Sequence, residues 1–230
     1  MKESDFFEKE EKRSWKRELL FFFYPPKCAG CHKIGYEGLC PECREKADHA
    51  FQPKKFLAFG GNGFADEMIG LFSYSVPPVQ TMLFDWKDND YEDLHEILGE
   101  YVERSTRLSL FPKDIDLVTF SPRRKSARRR AGLDQAECIA REIAARLDLP
   151  FEPLLARRGL SRPQHRLRGK ARERNVRNRF VPTKALHGER VLLVDDIVTS
   201  GESAKEGARI LKKAGAWKVS VFCIARPGDA

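Results

Sequence analysis

The sequence predicts an α/β protein with a mostly parallel sheet and flanking helices, preceded by a small cysteine-rich module. Three observations predict it. Strand-like apolar segments alternate with helix-like segments, which favours parallel strands joined by helices. The run Val191–Val194 is continuously apolar, as is typical of a strand buried on both faces. Four cysteines form two Cys-x2-Cys pairs near the amino terminus.

The predicted elements divide the chain into three regions. Residues 50–67 are Gly-rich and are predicted to form an irregular connector. Strands are predicted at 71–76, 116–120, 151–156, 191–194 and 218–224, and helices at 79–87, 92–110, 132–147 and 204–214. We therefore expect an N-terminal helical segment (1–24), the cysteine module with its connector (25–67) and an α/β domain (68–230).

The cysteine spacing predicts one structural zinc site. Cys28, Cys31, Cys40 and Cys43 follow the pattern Cys-x2-Cys-x8-Cys-x2-Cys, in which each pair offers two thiolates to a tetrahedral Zn²⁺. His32 is an alternative ligand, but four thiolates already close such a site, so we expect it outside the first coordination sphere. The other two cysteines, 138 and 223, lie in apolar contexts and are expected to be core residues.

Composition narrows the class of protein and of partner. The 230-residue chain is 41% hydrophobic, enough for a packed core. No apolar stretch reaches the roughly 20 residues that a membrane span requires, so we expect no membrane insertion and a cytoplasmic location. The net charge of +8 favours polyanionic partners, either nucleic acid or phosphorylated small molecules, and the alternative is an ordinary solvated surface.

The end of the run Val191–Val194 predicts a ligand site. Asp195 and Asp196 follow it directly, and ligands of parallel sheets bind beyond the carboxyl ends of the strands. Residues 199–203 then enter a helix, whose first N–H groups are ready to bind an anion. Two carboxylates beside a phosphate-binding loop suit a sugar phosphate. The alternative is that the acids only cap the next helix.

Two basic segments are candidates for binding phosphate. Residues 123–130 carry six Arg or Lys side chains directly after a predicted strand, and suit a diphosphate loop, a polyanion groove or a solvated basic face. Asp134 follows as the expected N-cap of the next helix. Residues 157–179 form a second basic loop that could close over a ligand. Aromatic residues are nearly absent from both loops, which disfavours base stacking.

The strand, acid pair and loop together resemble the phosphoribosyl-diphosphate (PRPP) motif of type I phosphoribosyltransferases. The resemblance implies that Asp195 and Asp196 are the catalytic-site acids that face the ribose hydroxyls, near a Mg²⁺ held mainly by the ligand. It implies a 5′-phosphate loop made of Thr199, Ser200, Gly201, Glu202 and Ser203. Arg123 and Arg124 would then bind the diphosphate.

An ordered series of motifs resembles the ComF family, known from competence for DNA uptake. Besides the cysteine module and the PRPP motif, the series includes residues 72–74, 87–90, 122–124, 132–135, 158, 163–164, 172–176 and 180. Asp134 stands where the family has Asn, and Ala131 and Leu133 replace its Arg and Phe. Residues 59–63 lack the further Cys-x-x-Cys that members often carry, so we expect one zinc.

Two functions follow from this resemblance. The first is an enzyme that binds PRPP·Mg²⁺ and transfers the phosphoribosyl group to an unknown acceptor. The second is a non-catalytic accessory protein in DNA uptake or single-stranded DNA handling, whose partners are DNA or DNA-uptake proteins. The sequence leaves both open because the fold alone does not set the function.

Overall fold

The computed structural model describes residues 25–58, 64–88, 92–123, 134–158, 179–198 and 200–226. The helices are α1 (Pro41–Ala50), α2 (Pro77–Asp88), α3 (Glu92–Arg107), α4 (Gln135–Leu147) and α5 (Glu202–Ala214). The strands are β1 (Phe51–Leu57), β2 (Glu67–Ser73), β3 (Leu117–Phe120), β4 (Leu155–Arg157), β5 (Phe180–Pro182), β6 (Arg190–Ile197) and β7 (Lys218–Arg226). The predicted helical segment at 1–24 lies outside the described residues.

The main sheet has the strand order β1-β2-β7-β6-β3. The four strands β2, β7, β6 and β3 pair in parallel, and β1 adds an antiparallel edge. Strands β4 and β5 form a separate antiparallel ribbon. The predicted fold class, a mostly parallel sheet with flanking helices behind a cysteine module, is confirmed.

Both faces of the sheet are covered, as the continuous apolar strands require. One face packs against α2, α3 and α4, with Leu83, Leu98 and Ile139 in the core. The other packs against α5 and the ribbon, with Leu211 and Phe180 in the core. Burial on both faces explains why β6 and β7 show no alternation of polar residues. Within the described part of the chain, no helix has both the length and the apolarity to cross a bilayer.

The predicted irregular connector is wrong for residues 51–57, which form the edge strand β1. Pro53 and two exposed lysines, 54 and 55, hide its strand character in the sequence, because edge strands tolerate such residues. At the opposite edge, Val118 of β3 donates its N–H to the Pro150 carbonyl and accepts the N–H of Glu152. Only the isolated bridge at Phe151 and the short β4 remain of the strand predicted at 151–156.

The cysteine module packs directly onto the α/β domain. Helix α1 begins at Pro41, directly after Cys40, and proline suits the first turn of a helix. Ala29 and Ala47 join the hydrophobic core that contains α3. Tyr101 of α3 donates its O–H to Asp48 of α1 at 3.2 Å and continues this contact. The module is therefore not an independent appendage on a flexible linker.

Candidate functional site

Asp195 and Asp196 lie at the carboxyl end of β6, between β3 and β7. They are only 7% and 8% exposed, so the two acids do not face a wide, open cleft. Asp195 Oδ1 accepts the N–H of Asp196 at 3.1 Å, and Asp196 Oδ1 accepts the N–H of Ile197 at 2.7 Å. Hydrogen bonds from backbone N–H groups thus hold both carboxylates at the edge where parallel sheets bind ligands.

Arg123 lies beside the acid pair, the arrangement predicted from its position after β3. Its Nη2 is 3.2 Å from Asp196 Oδ2, and both side chains are largely buried. The Ser121 N–H donates to the Val194 carbonyl, which continues the pairing of β3 with β6 up to this point. A largely buried arginine beside the acid pair, at the ligand edge of the sheet, is suited to bind phosphate.

Gln135 holds the Arg123 side chain from the other side. Its Oε1 accepts a hydrogen bond from Arg123 Nη1, while its Nε2 donates to the Trp86 carbonyl at 2.7 Å. Gln135 is 5% exposed. Sequence reasoning placed Gln135 in a motif but gave it no role, because its partners come from two distant segments.

Asp134 occupies the predicted N-cap position of α4, but its side chain does not cap the helix. Oδ2 instead accepts the backbone N–H of Arg123 at 2.9 Å. Oδ1 is buried and has no hydrogen-bond partner among the residues that the structure describes. Burial raises the pKa of this carboxyl, and the negative charge of Asp196 acts in the same direction against the opposing effect of Arg123.

Asp134→Asn is therefore expected to stabilise the protein at neutral pH. Because the folded pKa is raised above 3.8, the acid costs increasingly more stability as pH rises from 3.8 through the folded pKa. Asparagine should raise the free energy of unfolding by about 1 kcal/mol at pH 7 and change it little below pH 3.8. Urea unfolding at both pH values measures this.

Asp116→Asn is the control of opposite sign. Hydrogen bonds from Arg190 lower the pKa of Asp116 to about 2. This carboxylate therefore stabilises the fold above its unfolded pKa, and the stabilisation is lost as pH falls through the folded value. Its replacement should lower stability at pH 7. An Asp134→Asn protein that is less stable at pH 7 would show that the Asp134 carboxylate is well compensated.

The candidate phosphate loop lies between β6 and α5. Gly201 has a φ of +73°, a left-handed conformation that glycine adopts without strain, and α5 begins at the next residue. The Gly201 carbonyl accepts the Lys205 N–H and starts the helix. The N–H groups of this first turn have no partners within the helix, so they can bind an anion. Thr199 lies outside the described residues.

The ribbon of β4 and β5 brings two arginines to this edge that sequence reasoning did not single out. Arg179 Nη1 donates to Ser203 Oγ at 2.8 Å, directly at the candidate phosphate loop. Arg157 Nε donates to the Pro122 carbonyl at 2.8 Å, next to Arg123. Their only sequence signal was membership of a long basic segment. Residues 124–133 and 159–178, which include Arg124, lie outside the described residues.

The four predicted cysteine ligands come together in the module. All four Sγ atoms lie within 4.8 Å of one another, and those of Cys31 and Cys40 are 3.8 Å apart. A tetrahedral zinc with Zn–S bonds of about 2.3 Å separates its sulfurs by about 3.8 Å, so the cluster fits this ion. Burial opposes ionisation of Cys28, but N–H groups of Cys40, Gly30 and Cys31 outweigh it and lower its pKa to about 7.

His32 is not a member of this cluster, as predicted. It has a φ of +61°, and its N–H donates to the Cys28 carbonyl at 2.8 Å, within the knuckle. Its Nε2 points to α2 and lies 2.6 Å from Asp85 Oδ2. The histidine therefore connects the module to the α/β domain.

Comparison with known proteins identifies the family. Competence protein F of Haemophilus influenzae is 31% identical over 229 residues, which cover 90% of this chain and 98% of that protein. The chain belongs to the ComF family. DNA utilization protein YhgH of Escherichia coli O157:H7, another relative of this ComF chain, is 26% identical over 209 residues, 86% of the chain and 89% of that protein.

The α/β domain of this ComF chain is of the phosphoribosyltransferase type. A phosphoribosyl transferase domain model matches residues 133–230. Among solved structures, the glutamine PRPP amidotransferase from B. subtilis complexed with ADP and GMP is similar at 21% identity and a TM-score of 0.44. That similarity covers 61% of this chain and 30% of the amidotransferase.

Proposed function

We propose that this ComF-family chain binds PRPP with Mg²⁺, or a related ribose phosphate, at the carboxyl edge of its sheet. The observation that carries the proposal is that Asp196, Arg123 and Ser203 with its Arg179 contact all lie at this edge. Carboxylates accept hydrogen bonds from sugar hydroxyls, whereas arginine and helix N-termini bind phosphate. The phosphoribosyl transferase domain match supports the same ligand class.

Each predicted residue has a proposed role. Asp195 and Asp196 hold the ribose 2′- and 3′-hydroxyls, and residues 199–203 wrap the 5′-phosphate. Arg123 binds the diphosphate, which requires it to exchange part of its contact with Asp196 for the ligand. Arg124 is proposed for the same anion.

The acid pair fits the Mg²⁺ that PRPP brings. This ion prefers one or two protein carboxylates together with substrate phosphates, and Asp195 and Asp196 offer adjacent carboxylates at the ligand edge. Arg123 shows that the same place already balances negative charge with a cation. When bound, Mg²⁺ would neutralise charge on the diphosphate.

The proposed reaction is phosphoribosyl transfer. The bond from ribose C1 to the diphosphate oxygen breaks, the diphosphate leaves with the electron pair, and an acceptor nucleophile bonds to C1. Arg123 stabilises the leaving diphosphate while Asp195 and Asp196 orient the ribose. The cysteine module is proposed to hold one structural zinc. Because such thiols remain available to metal in a reducing compartment, we place the protein in the cytoplasm.

The second candidate function is an accessory role in DNA uptake or single-stranded DNA handling. The names of the relatives, a competence protein and a DNA utilization protein, favour it. The net charge of +8 would attract a nucleic acid backbone. In this function the ribose phosphate would act as a bound ligand without transfer.

Calorimetric titration with PRPP·Mg²⁺, ribose 5-phosphate and single-stranded DNA tests the two functions. We expect Arg123→Ala to weaken PRPP binding by about 10- to 100-fold, since hydrogen bonds to charged groups contribute about 1.5–3 kcal/mol. Because ribose 5-phosphate lacks the diphosphate, the affinity of Arg123→Ala for this ligand should fall far less. DNA affinity should change only modestly.

Arg107→Ala is the matched control, because Arg107 is exposed and pairs with Glu103 on its own helix. A polyanion groove would give a different pattern. Arg123→Ala would then weaken DNA strongly and reduce its log–log salt slope by about 0.7 per lost contact. Wild-type protein that binds no PRPP would refute the proposed ligand. Tight PRPP binding without diphosphate release across candidate acceptors would favour the accessory role.

A further inference from the structure

A series of polar contacts joins the cysteine module to the acid pair. At the module, His32 Nε2 lies 2.6 Å from Asp85 Oδ2 on α2. The next residue of α2, Trp86, accepts Gln135 Nε2 on its carbonyl at 2.7 Å. Gln135 Oε1 accepts Arg123 Nη1, and Arg123 Nη2 reaches Asp196 at 3.2 Å.

Burial makes most of these contacts costly to break, although the His32 side chain at the module end is 54% exposed. Asp85, Trp86 and Gln135 are 6%, 5% and 5% exposed, so water cannot easily replace a lost partner. A buried polar group that loses its partner keeps its full desolvation cost, whereas an exposed one does not. The position of α2 and the position of Arg123 are therefore linked through Gln135.

Gln135 is suited to this link because its amide does two things at once. It donates to the Trp86 carbonyl and accepts from the Arg123 guanidinium. Leucine, of similar size, can do neither. Glutamate can accept from Arg123 but cannot donate to a carbonyl while ionised. The two variants thus separate the two contacts of this side chain.

The module fixes the other end of the series. His32 directly follows the ligand Cys31 and has a positive φ, which is uncommon for a residue other than glycine. Its backbone N–H is held by the Cys28 carbonyl. Closure of the knuckle around its thiolates therefore determines where the imidazole meets Asp85.

We propose that Gln135 is a positioning residue that holds Arg123 at the acid pair, and that the cysteine module holds Gln135 in turn through His32, Asp85 and α2. This inference rests on the proposed ribose-phosphate site and deepens it. The module then acts on the affinity for the diphosphate-bearing ligand, and not only on the stability of its own fold.

The ligand-free test is the proton exchange rate of the Arg123 guanidinium, measured by NMR on the zinc-loaded full chain. We expect Gln135→Leu to raise this rate at least about fivefold, which corresponds to the loss of one buried hydrogen bond. Gln135→Glu keeps the acceptor for Arg123 but loses the contact with the Trp86 carbonyl, so its exchange rate should lie between those of the wild type and Gln135→Leu. His32→Ala and Asp85→Ala should each raise the rate about threefold, and His32→Ala should add nothing in the Gln135→Leu background.

The ligand test repeats the series with PRPP·Mg²⁺ and ribose 5-phosphate. Across the variants, PRPP affinity should fall in the same order as the protection of the Arg123 guanidinium protons from exchange. The affinity for ribose 5-phosphate should stay within about twofold of the wild-type value, because this ligand lacks the diphosphate. His49→Ala is the control for the module, since His49 is exposed on α1. Gln80→Leu, at an exposed position of α2, is the control for Gln135→Leu. Zinc content is measured for every variant.

Three results would overturn the inference. The first is Arg123 exchange in Gln135→Leu that is no faster than in Gln80→Leu. The second is Arg123 exchange in both His32→Ala and Asp85→Ala at the His49→Ala level. The third is an effect of His32→Ala or Asp85→Ala that simply adds to that of Gln135→Leu. If His32→Ala loses its zinc, Asp85→Ala alone tests whether the contact between the module and α2 affects Arg123. Wild-type protein that binds no PRPP would refute the proposed function. The exchange rates would still decide whether Gln135 and the cysteine module position Arg123.

Discussion

Replacing Asp195 and Asp196 together by asparagine is expected to weaken PRPP·Mg²⁺ binding by at least about 100-fold. In the proposed function each carboxylate binds a ribose hydroxyl, and two hydrogen bonds to charged groups together contribute about 3–6 kcal/mol. Isothermal calorimetry measures the affinity. Asparagine keeps the size of the side chain and an oxygen that can accept from the neighbouring backbone N–H groups.

The stability of this double variant separates a binding role from a structural one. Asp196 pairs with Arg123, but in the double variant Arg123 keeps its contact with Gln135. We therefore expect the free energy of unfolding to fall by only about 1–2 kcal/mol. Urea unfolding of the two single variants shows which acid contributes. A double variant that fails to fold, while Asp116→Asn folds, would mean that the acids are structural.

Cys28→Ser is expected to abolish zinc binding and unfold the module. Cys28 is fully buried, and the N–H of Cys40 donates to its Sγ at 3.2 Å. Structural zinc contributes about 10–16 kcal/mol of apparent binding free energy in comparable peptides, far more than so small a core can replace. Metal analysis should fall from about one zinc per chain to none.

Cys138→Ser is the matched control, because this cysteine on α4 lies outside the four-cysteine cluster and is partly exposed, so its predicted place in the core is wrong. It should keep its zinc. In Cys28→Ser the α/β domain should stay folded but lose the packing of Ala29 and Ala47, so its core amides should exchange faster. Wild-type protein that is purified free of metal with an ordered module would contradict the assignment of zinc.

The sequence allowed the centre of the molecule to be predicted because its signals there are local. The apolar run before Asp195 and Asp196 defined β6, and helical periodicity defined most of α5. The spacing of the cysteines predicted the four-cysteine cluster without reference to the rest of the fold. In each case neighbouring residues carry the whole pattern.

The parts that were missed depend on partners that lie outside the local sequence pattern. Strand β1 carries Pro53 and exposed lysines, and only its pairing with β2 makes it a strand. Asp134 was expected to cap α4, but the end of β3 brings the Arg123 N–H to its carboxylate instead. Arg157 and Arg179 meet their partners only because the ribbon lies across the site. No local pattern encodes such contacts.

The two borders of the main sheet have a consequence for the behaviour of the protein at high concentration. Exposed edge strands can pair with a strand of another chain, and such pairing leads to aggregation. On β1, Pro53 lacks an N–H to offer, and Lys54 and Lys55 would bring like charges together in a second copy. On β3, the segment around Phe151 already occupies the backbone of Val118. Intermolecular strand pairing is thereby opposed at both sides of the molecule.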